Sequence, residues 1–273
     1  MFFTDDNSIM VTNSNLGGLQ TALNRTISDI ISWCKANFLL LKFNKTYYLE
    51  FRTKNCIDST LNINYFNKSI ANVPYTNFLG LVIDDTLTRD NHIDHLISRT
   101  NSAYYAIRAV TAMLPRKALR ILHFSYVHSV IFYGIIFWCN TPNNIKIFRI
   151  QKKKSIFIYN SRKMDSCREM FKAMEILPFY SQYIFLLLLY VVNNKHLFRR
   201  KWDVHSHDTR SANNFHLPIT NLTKHLMQEL NCNCHPTHIK SVANEIQVFK
   251  SALKRFLLSD SFYSIDEYFN SNK

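Results

Sequence analysis

The sequence predicts an α+β protein, with short antiparallel strands and one helix at residues 1–88 and helices in most of the remaining chain. Two observations lead to this prediction. Short alternating runs separated by turn residues dominate up to Ile83, and apolar residues recur at helical spacing after Asp90. We predict four segments: a strand region at 1–88, a helical basic region at 89–198, an irregular loop region at 199–238 and a helical tail at 239–273.

The strand region is predicted to begin with a hairpin. Residues 1–3 and 8–12 are apolar runs typical of strands, and the turn-forming sequence Thr4-Asp5-Asp6-Asn7 lies between them. A helix should follow, because apolar residues recur at helical spacing from Leu16 to Cys34. Alternation from Lys45 to Arg52 predicts a half-buried strand.

The helical regions show longer periodic stretches. One helix should follow Asp90 and end before Pro115, and a second should run from about Lys117 to Phe137. A third is expected after Pro178, and the tail regains helical spacing from Ile246 to Leu257. The second stretch reaches the length of a membrane span only by including an arginine and two histidines, so we predict buried core helices instead.

Composition excludes several functional classes. The 273 residues contain only four glycines, which excludes a P-loop and a dinucleotide-binding fingerprint. Six cysteines are too few for a disulfide scaffold in a chain of this size. With no signal peptide in the sequence, these features favour an intracellular location, in the cytoplasm or the nucleus.

Positive charge is concentrated in one part of the chain. The net charge is +14, and residues 95–164 contain 12 lysines and arginines and no aspartate or glutamate. Such a block favours a nucleic-acid partner, because neutralising phosphates releases counterions. A solvated basic face that improves solubility is the alternative.

Two aspartate pairs are candidates for chemistry. Asp5-Asp6 at a hairpin tip could bind Mg²⁺, which prefers oxygen ligands, and two such ions could activate a 3′-hydroxyl and stabilise leaving pyrophosphate. That chemistry needs a further carboxylate on a neighbouring strand. Asp84-Asp85 has the same appearance, and we interpret it as a turn that closes a hairpin.

An ordered series of motifs resembles one family over nearly the whole chain. Phe2-Phe3-Thr4-Asp5-Asp6 resembles the aromatic-Ala-Asp-Asp box of reverse transcriptases. Leu41-Lys42-Phe43-Asn44-Lys45-Thr46 resembles the Asn-x-x-Lys-Thr type motif that follows this box in the same enzymes. Tyr75-Thr76-Asn77-Phe78-Leu79-Gly80-Leu81 resembles a primer grip. Together these motifs are similar to the C-terminal part of the reverse transcriptases of jockey-like non-long-terminal-repeat retrotransposons.

The resemblance implies roles for particular residues. Asp5 and Asp6 would bind the catalytic Mg²⁺ ions, and Lys45 would lie near the triphosphate. Phe78, Leu79 and Gly80 would hold the primer end, although an ordinary hairpin core explains them equally well. The basic region would be the thumb and would contact an RNA template and a DNA primer through Arg99, Arg108, Arg116, Lys117, Arg120, Lys152, Lys153 and Lys154.

The chain also departs from the family. It starts at the Asp-Asp box, so the fingers and an earlier palm aspartate are expected to be missing. Thr4 replaces the usual alanine, and Cys139 replaces an expected glycine. We therefore expect a truncated palm followed by a thumb, inactive as a polymerase by itself. A non-enzymatic nucleic-acid-binding remnant and a translated pseudogene remain as alternatives.

Overall fold

The computed structural model describes residues 8–52, 61–65, 68–158, 167–197 and 245–271. It is a mixed structure in which helices predominate and the strands are few and short, so the predicted combination of α and β structure is confirmed at that level. The chain divides into two units, residues 1–91 and residues 92–273. Residues 199–238, predicted as a loop, lie outside the described residues.

The first unit begins with helix α1, Leu16–Ala36. Asn15 caps it, as its position before the periodic stretch suggests, because its Oδ1 accepts the backbone N–H of Gly18 at 2.6 Å. Only Cys34 is buried among the α1 residues, and Leu16 is 50% exposed. The apolar face of α1 is therefore only partly covered within the described part of the first unit.

The structure describes only one arm of the predicted N-terminal hairpin, and that arm is not a strand. Residues 8–12 form no strand, and the other arm, with Asp5 and Asp6, lies outside the described residues. A strand requires a neighbouring strand for its backbone N–H and C=O groups, and none of the strand pairs among the described residues includes residues 8–12.

Six short strands form three two-stranded sheets in the described part of this unit. β1 (Tyr47–Tyr48) pairs with β4 (Ala71–Asn72) in parallel, which differs from the antiparallel pairing that we predicted. β2 (Asn64–Tyr65) and β3 (Lys68–Ser69) are antiparallel. The predicted strand at 45–52 is reduced to β1, because Arg52 donates its N–H to Asp85 O and so bonds to a different segment.

The hairpin of β5 (Tyr75–Phe78) and β6 (Leu81–Asp84) is the longest ladder among the described strands. Leu79 and Gly80 join the strands with φ values of 48° and 79°. Positive φ at both central residues is what a two-residue type I′ turn requires, and leucine adopts it at some cost in strain.

Asp84 stabilises the loop that follows this hairpin. Its side chain is 4% exposed, and its Oδ2 accepts the hydroxyl of Thr88 and the N–H of Arg89 at 3.0 Å. Leu87 and Arg89 have φ values of 54° and 64°. These bonds offset strain in the loop. Asp84 is the last residue of β6 and pairs with Tyr75, so our interpretation of Asp84-Asp85 as the turn that closes a hairpin was wrong.

We expect Asp84→Ala to destabilise the first unit by about 1–3 kcal/mol, because it removes the acceptor of both the part-buried N–H of Arg89 and the hydroxyl of Thr88. Native-state hydrogen exchange of the β5–β6 amides measures the change. Asp85→Ala removes the neighbouring carboxylate and serves as the matched control. Equal loss of protection in the two variants would contradict the assignment.

The second unit begins with a long helix followed by a broken helical segment. α2 (Asp90–Val110) buries one face. α3 (Arg116–Leu122) continues through a π-helical segment, His123–His128, into α4 (Ser129–Phe132). The prediction of one helix to Phe137 was wrong, because the chain turns at Gly134, whose φ is 60°, before α5 (Ile135–Trp138) begins.

Five further helices complete the described part of this unit. They are α6 (Ile145–Ile158), α7 (Cys167–Ala173), α8 (Phe179–Asn193), α9 (Ile246–Asp260) and α10 (Ile265–Ser271). α8 is the centre of the core, since it contacts α5, α6 and α9 and buries ten of its residues. The apolar run that suggested a core helix after Pro178 is confirmed as one.

A buried glutamine joins α6 to the start of α8. The side chain of Gln151 is fully buried, and its Oε1 accepts the N–H of Phe179 at 3.0 Å. This bond satisfies one of the free N–H groups at the beginning of a helix.

Among the described helices, none has both the length and the apolar character that a membrane crossing requires.

Candidate nucleic-acid interface

The predicted cationic residues lie on three helices of the second unit. Arg99 and Arg108 belong to α2, whereas Arg116, Lys117 and Arg120 belong to α3. Lys152, Lys153 and Lys154 belong to α6, and the side chain of Lys154 lies outside the described part. The helices direct their apolar residues to the core, so most of these charges remain at the surface.

Exposure and pairing differ among these cations. Arg99, Arg108, Arg116, Lys117 and Lys153 are exposed. Among the described residues, no carboxylate forms an ion pair with Arg99, Arg116 or Lys117. Arg120 differs, because its Nη2 lies 2.7 Å from Oε2 of Glu175. The positive charge on α3 is therefore compensated at one position and uncompensated at its first two residues.

A groove on α3 and the π-helical segment places cations beside apolar surface. We call it the α3 groove, and its lining residues are Lys117, Arg120, Ile121, Phe124 and Ser125. Ile121 is 66% exposed, and the guanidinium carbon of Arg120 lies 5.6 Å from the centre of the Phe124 ring. Exposed apolar surface next to cations is typical of sites that bind single-stranded nucleic acid.

The π-helical segment also carries two histidines with unusual properties. Burial, together with the nearby His128, lowers the pKa of His123 to about 4. Burial lowers the pKa of His128 to about 4 as well, with a smaller effect from Lys254 and an opposing hydrogen bond with Gln182. Both residues are therefore neutral at pH 7, and they add no charge to the α3 groove.

A second cluster of cations lies at Tyr263, between α9 and α10. The amino group of Lys152 lies 5.0 Å from the centre of the Tyr263 ring, and the guanidinium carbon of Arg168 lies 4.7 Å from it. Glu267 forms an ion pair with Arg168 and also accepts the N–H of Tyr263. Lys152 thus has a structural contact besides its predicted role.

The residues assigned to catalysis and to the primer grip lie in the first unit. Lys45 ends a short 3₁₀ helix, Phe43–Lys45, and is exposed. Phe78 ends β5, and Leu79 and Gly80 form the exposed hairpin turn. Asp5 and Asp6 lie outside the described residues, so their proximity to Lys45 stays a prediction. In the described residues, no three metal-binding side chains come together.

Sequence reasoning missed the residues that surround the predicted cations. Glu175 lies 55 positions from its partner Arg120, and no local pattern indicates the pair. Ile121 and Phe124 were assigned to a buried helix, whereas Ile121 is largely exposed and Phe124 lines a groove. The helical spacing of positions 117, 121 and 124 is a signal that could have placed them on one face.

No protein-family model, curated protein or solved structure matches this chain.

Proposed function

We propose that the basic region of this chain binds nucleic acid, and that it contacts an RNA template and a DNA primer as the thumb of a reverse-transcriptase-derived protein. One observation carries the proposal: residues 95–164 contain 12 cationic side chains and no acidic one. When such a region neutralises phosphates, the counterions condensed on the nucleic acid are released, and this release favours binding. The ordered motif resemblance supports a template and primer as the particular partners.

The exposed and unpaired cations are the expected phosphate contacts. Arg99, Arg116 and Lys117 are exposed and form no ion pair with a described carboxylate. Binding of a phosphate to them requires no internal ion pair to be broken. Such contacts carry little sequence information, so we expect recognition of a duplex by its backbone.

Replacing Arg99, Arg116 and Lys117 together with glutamine should weaken binding to a labelled RNA–DNA hybrid. The slope of log affinity against log salt should become smaller by about 0.9 for each lost phosphate contact. Fluorescence anisotropy of the full chain at several salt concentrations measures both quantities.

The matched control replaces Arg25, Lys35 and Lys42, which are exposed cations of the first unit, with glutamine. Both variants lower the net charge by three, from +14 to +11, so a difference between them does not come from net charge. Binding that does not depend on salt, or equal weakening in both variants, would contradict the proposal.

Catalysis is a separate question, because it would depend on Mg²⁺ at Asp5 and Asp6, and we expect the chain to be inactive as a polymerase by itself. Adding Mg²⁺ and nucleoside triphosphates to the same complex tests this expectation. Primer extension that Asp5→Asn abolishes would overturn it and identify a polymerase. Binding without extension is the expected result, both for an inactive reverse-transcriptase fragment and for the non-enzymatic nucleic-acid-binding alternative.

A further inference from the structure

The α3 groove combines features that a simple phosphate-binding surface does not need. Its residues recur at helical spacing on the outer side of α3 and the π-helical segment, whereas Leu119, His123 and Val127 on the other side are buried. Ile121 keeps 66% of its surface exposed in this position. An exposed branched aliphatic side chain between cations suits a ligand with a flat apolar part and a negative charge.

The polar groups of the groove are few and mostly engaged. The hydroxyl of Ser125 donates to the carbonyl oxygen of Ile121 at 2.9 Å, so it is committed to its own helix. Lys117 forms no ion pair with a described carboxylate. The groove therefore offers an apolar surface at Ile121 and Phe124 with a free ammonium group beside it.

Arg120 is held between two contacts. Its guanidinium lies over the Phe124 ring, with 5.6 Å between the guanidinium carbon and the ring centre, and forms an ion pair of 2.7 Å with Glu175. The two side chains of the pair are 39% and 62% exposed. Water and salt weaken a pair this exposed, so a phosphate can compete with Glu175 for the guanidinium.

We propose that the α3 groove binds one unpaired nucleotide of a single-stranded polynucleotide. The base lies against Ile121 and Phe124, and its phosphate is bound by Lys117 and Arg120. Glu175 occupies Arg120 in the free protein and is displaced when the phosphate binds. This assignment rests on the proposed function, and it adds a base-binding position to the backbone contacts. Stacking on an aromatic ring such as that of Phe124 tolerates every base, so we expect little sequence preference.

The role of Glu175 can be tested with two variants of equal charge. Glu175→Gln releases Arg120, whereas Glu169→Gln removes a carboxylate that pairs with Lys172 at 3.2 Å, outside the groove. The probe is a fluorescein-labelled single-stranded oligouridylate of about 12 nucleotides. We expect Glu175→Gln to bind it about two- to fivefold more tightly than Glu169→Gln does. Equal affinities would overturn the assignment of Arg120.

The base contact can be tested with Ile121→Ser and an abasic strand of the same length. The exposure of Ile121 makes the substitution compatible with folding, which circular dichroism verifies. We expect about five- to tenfold weaker binding of the oligouridylate and unchanged binding of the abasic strand. If Ile121→Ser weakens the binding of both strands equally, or weakens the binding of neither, the base contact is overturned.

The two levels of the proposal fail in different ways. If the unmodified chain binds neither the RNA–DNA hybrid nor the oligouridylate, the proposed function is wrong and the groove assignment falls with it. If the unmodified chain binds both the hybrid and the oligouridylate, but the groove variants behave like Glu169→Gln, only the groove assignment is wrong. Binding of an apolar peptide to the groove in preference to the oligouridylate would also contradict it.

Discussion

Replacing Trp138 with alanine is expected to lower the free energy of unfolding of the second unit by about 3–5 kcal/mol. Trp138 is 1% exposed, and its ring centre lies 5.7 Å from that of Phe179 in α8 and 5.7 Å from that of His92 in α2. Alanine removes both contacts and leaves a cavity that a helical core can only partly close. Urea unfolding followed by circular dichroism measures the loss.

Trp138→Phe provides the matched control. Phenylalanine keeps an aromatic ring against Phe179 but cannot donate the bond from Nε1 to Tyr133 O, which is 3.1 Å long. We expect it to cost about 1 kcal/mol for the hydrogen bond, plus a smaller packing loss. If Trp138→Ala lowers the free energy of unfolding by less than about 1 kcal/mol, the contacts of α5 with α8 and α2 contribute little to stability.

Replacing His123 with leucine is expected to remove much of the acid sensitivity of this unit. His123 is fully buried, and neither ring nitrogen has a hydrogen-bond partner in the described part of the chain. Burial lowers its pKa to about 4 from an unfolded value of about 6.5. Between these values the unfolded chain binds a proton and the folded chain does not, so the unfolded state is favoured as the pH falls.

The size of this effect follows from the two pKa values. Stability is complete above about pH 6.5, and His123 should reduce it by about 2 kcal/mol at pH 5 and by about 3 kcal/mol below pH 4. Leucine has no proton to bind, so the stability of the variant relative to the parent should be about 2 kcal/mol more favourable at pH 5 than at pH 7.5. Urea midpoints at the two pH values measure the difference.

An exposed histidine serves as the control for this experiment. His196 lies in a short 3₁₀ turn after α8 and is exposed, so His196→Leu should leave the pH dependence close to that of the parent. If His123→Leu shows the same loss of stability between pH 7.5 and pH 5 as the parent, His123 does not contribute to acid sensitivity. The remaining loss in the His123 variant would then be assigned to His92 and His128, whose pKa values are also lowered to about 4.

The helices were the part of the fold that local sequence patterns could predict. Apolar residues at helical spacing predicted α1, α2 and α9, because the spacing that buries one face of a helix is a property of the helix itself. Pro115 also marked a helix boundary correctly, since proline cannot continue a helix interior. Helices α6 and α7 were missed, because their charged surface hides the periodicity of their buried residues.

Strand pairing was beyond the reach of the sequence. Tyr47 to Arg52 alternates in character, yet only Tyr47–Tyr48 forms a strand, and its partner is parallel. Which segments pair depends on backbone groups far apart in the chain, and alternation reports only which face a side chain occupies. The break at Gly134 was missed for a similar reason, since an isolated glycine can also be accommodated within a helix.

The sequence by itself determined the charge of this protein and where it is concentrated. Twelve cations and no acid between residues 95 and 164 predict an anionic partner however the chain folds. Only the tertiary structure decided which of those charges is compensated, because it brings Glu175 to Arg120 across 55 positions. It also decided that Ile121 remains exposed beside them, since burial depends on which helices pack together. Local patterns carry charge and periodicity, whereas pairing and exposure arise from contacts between distant segments.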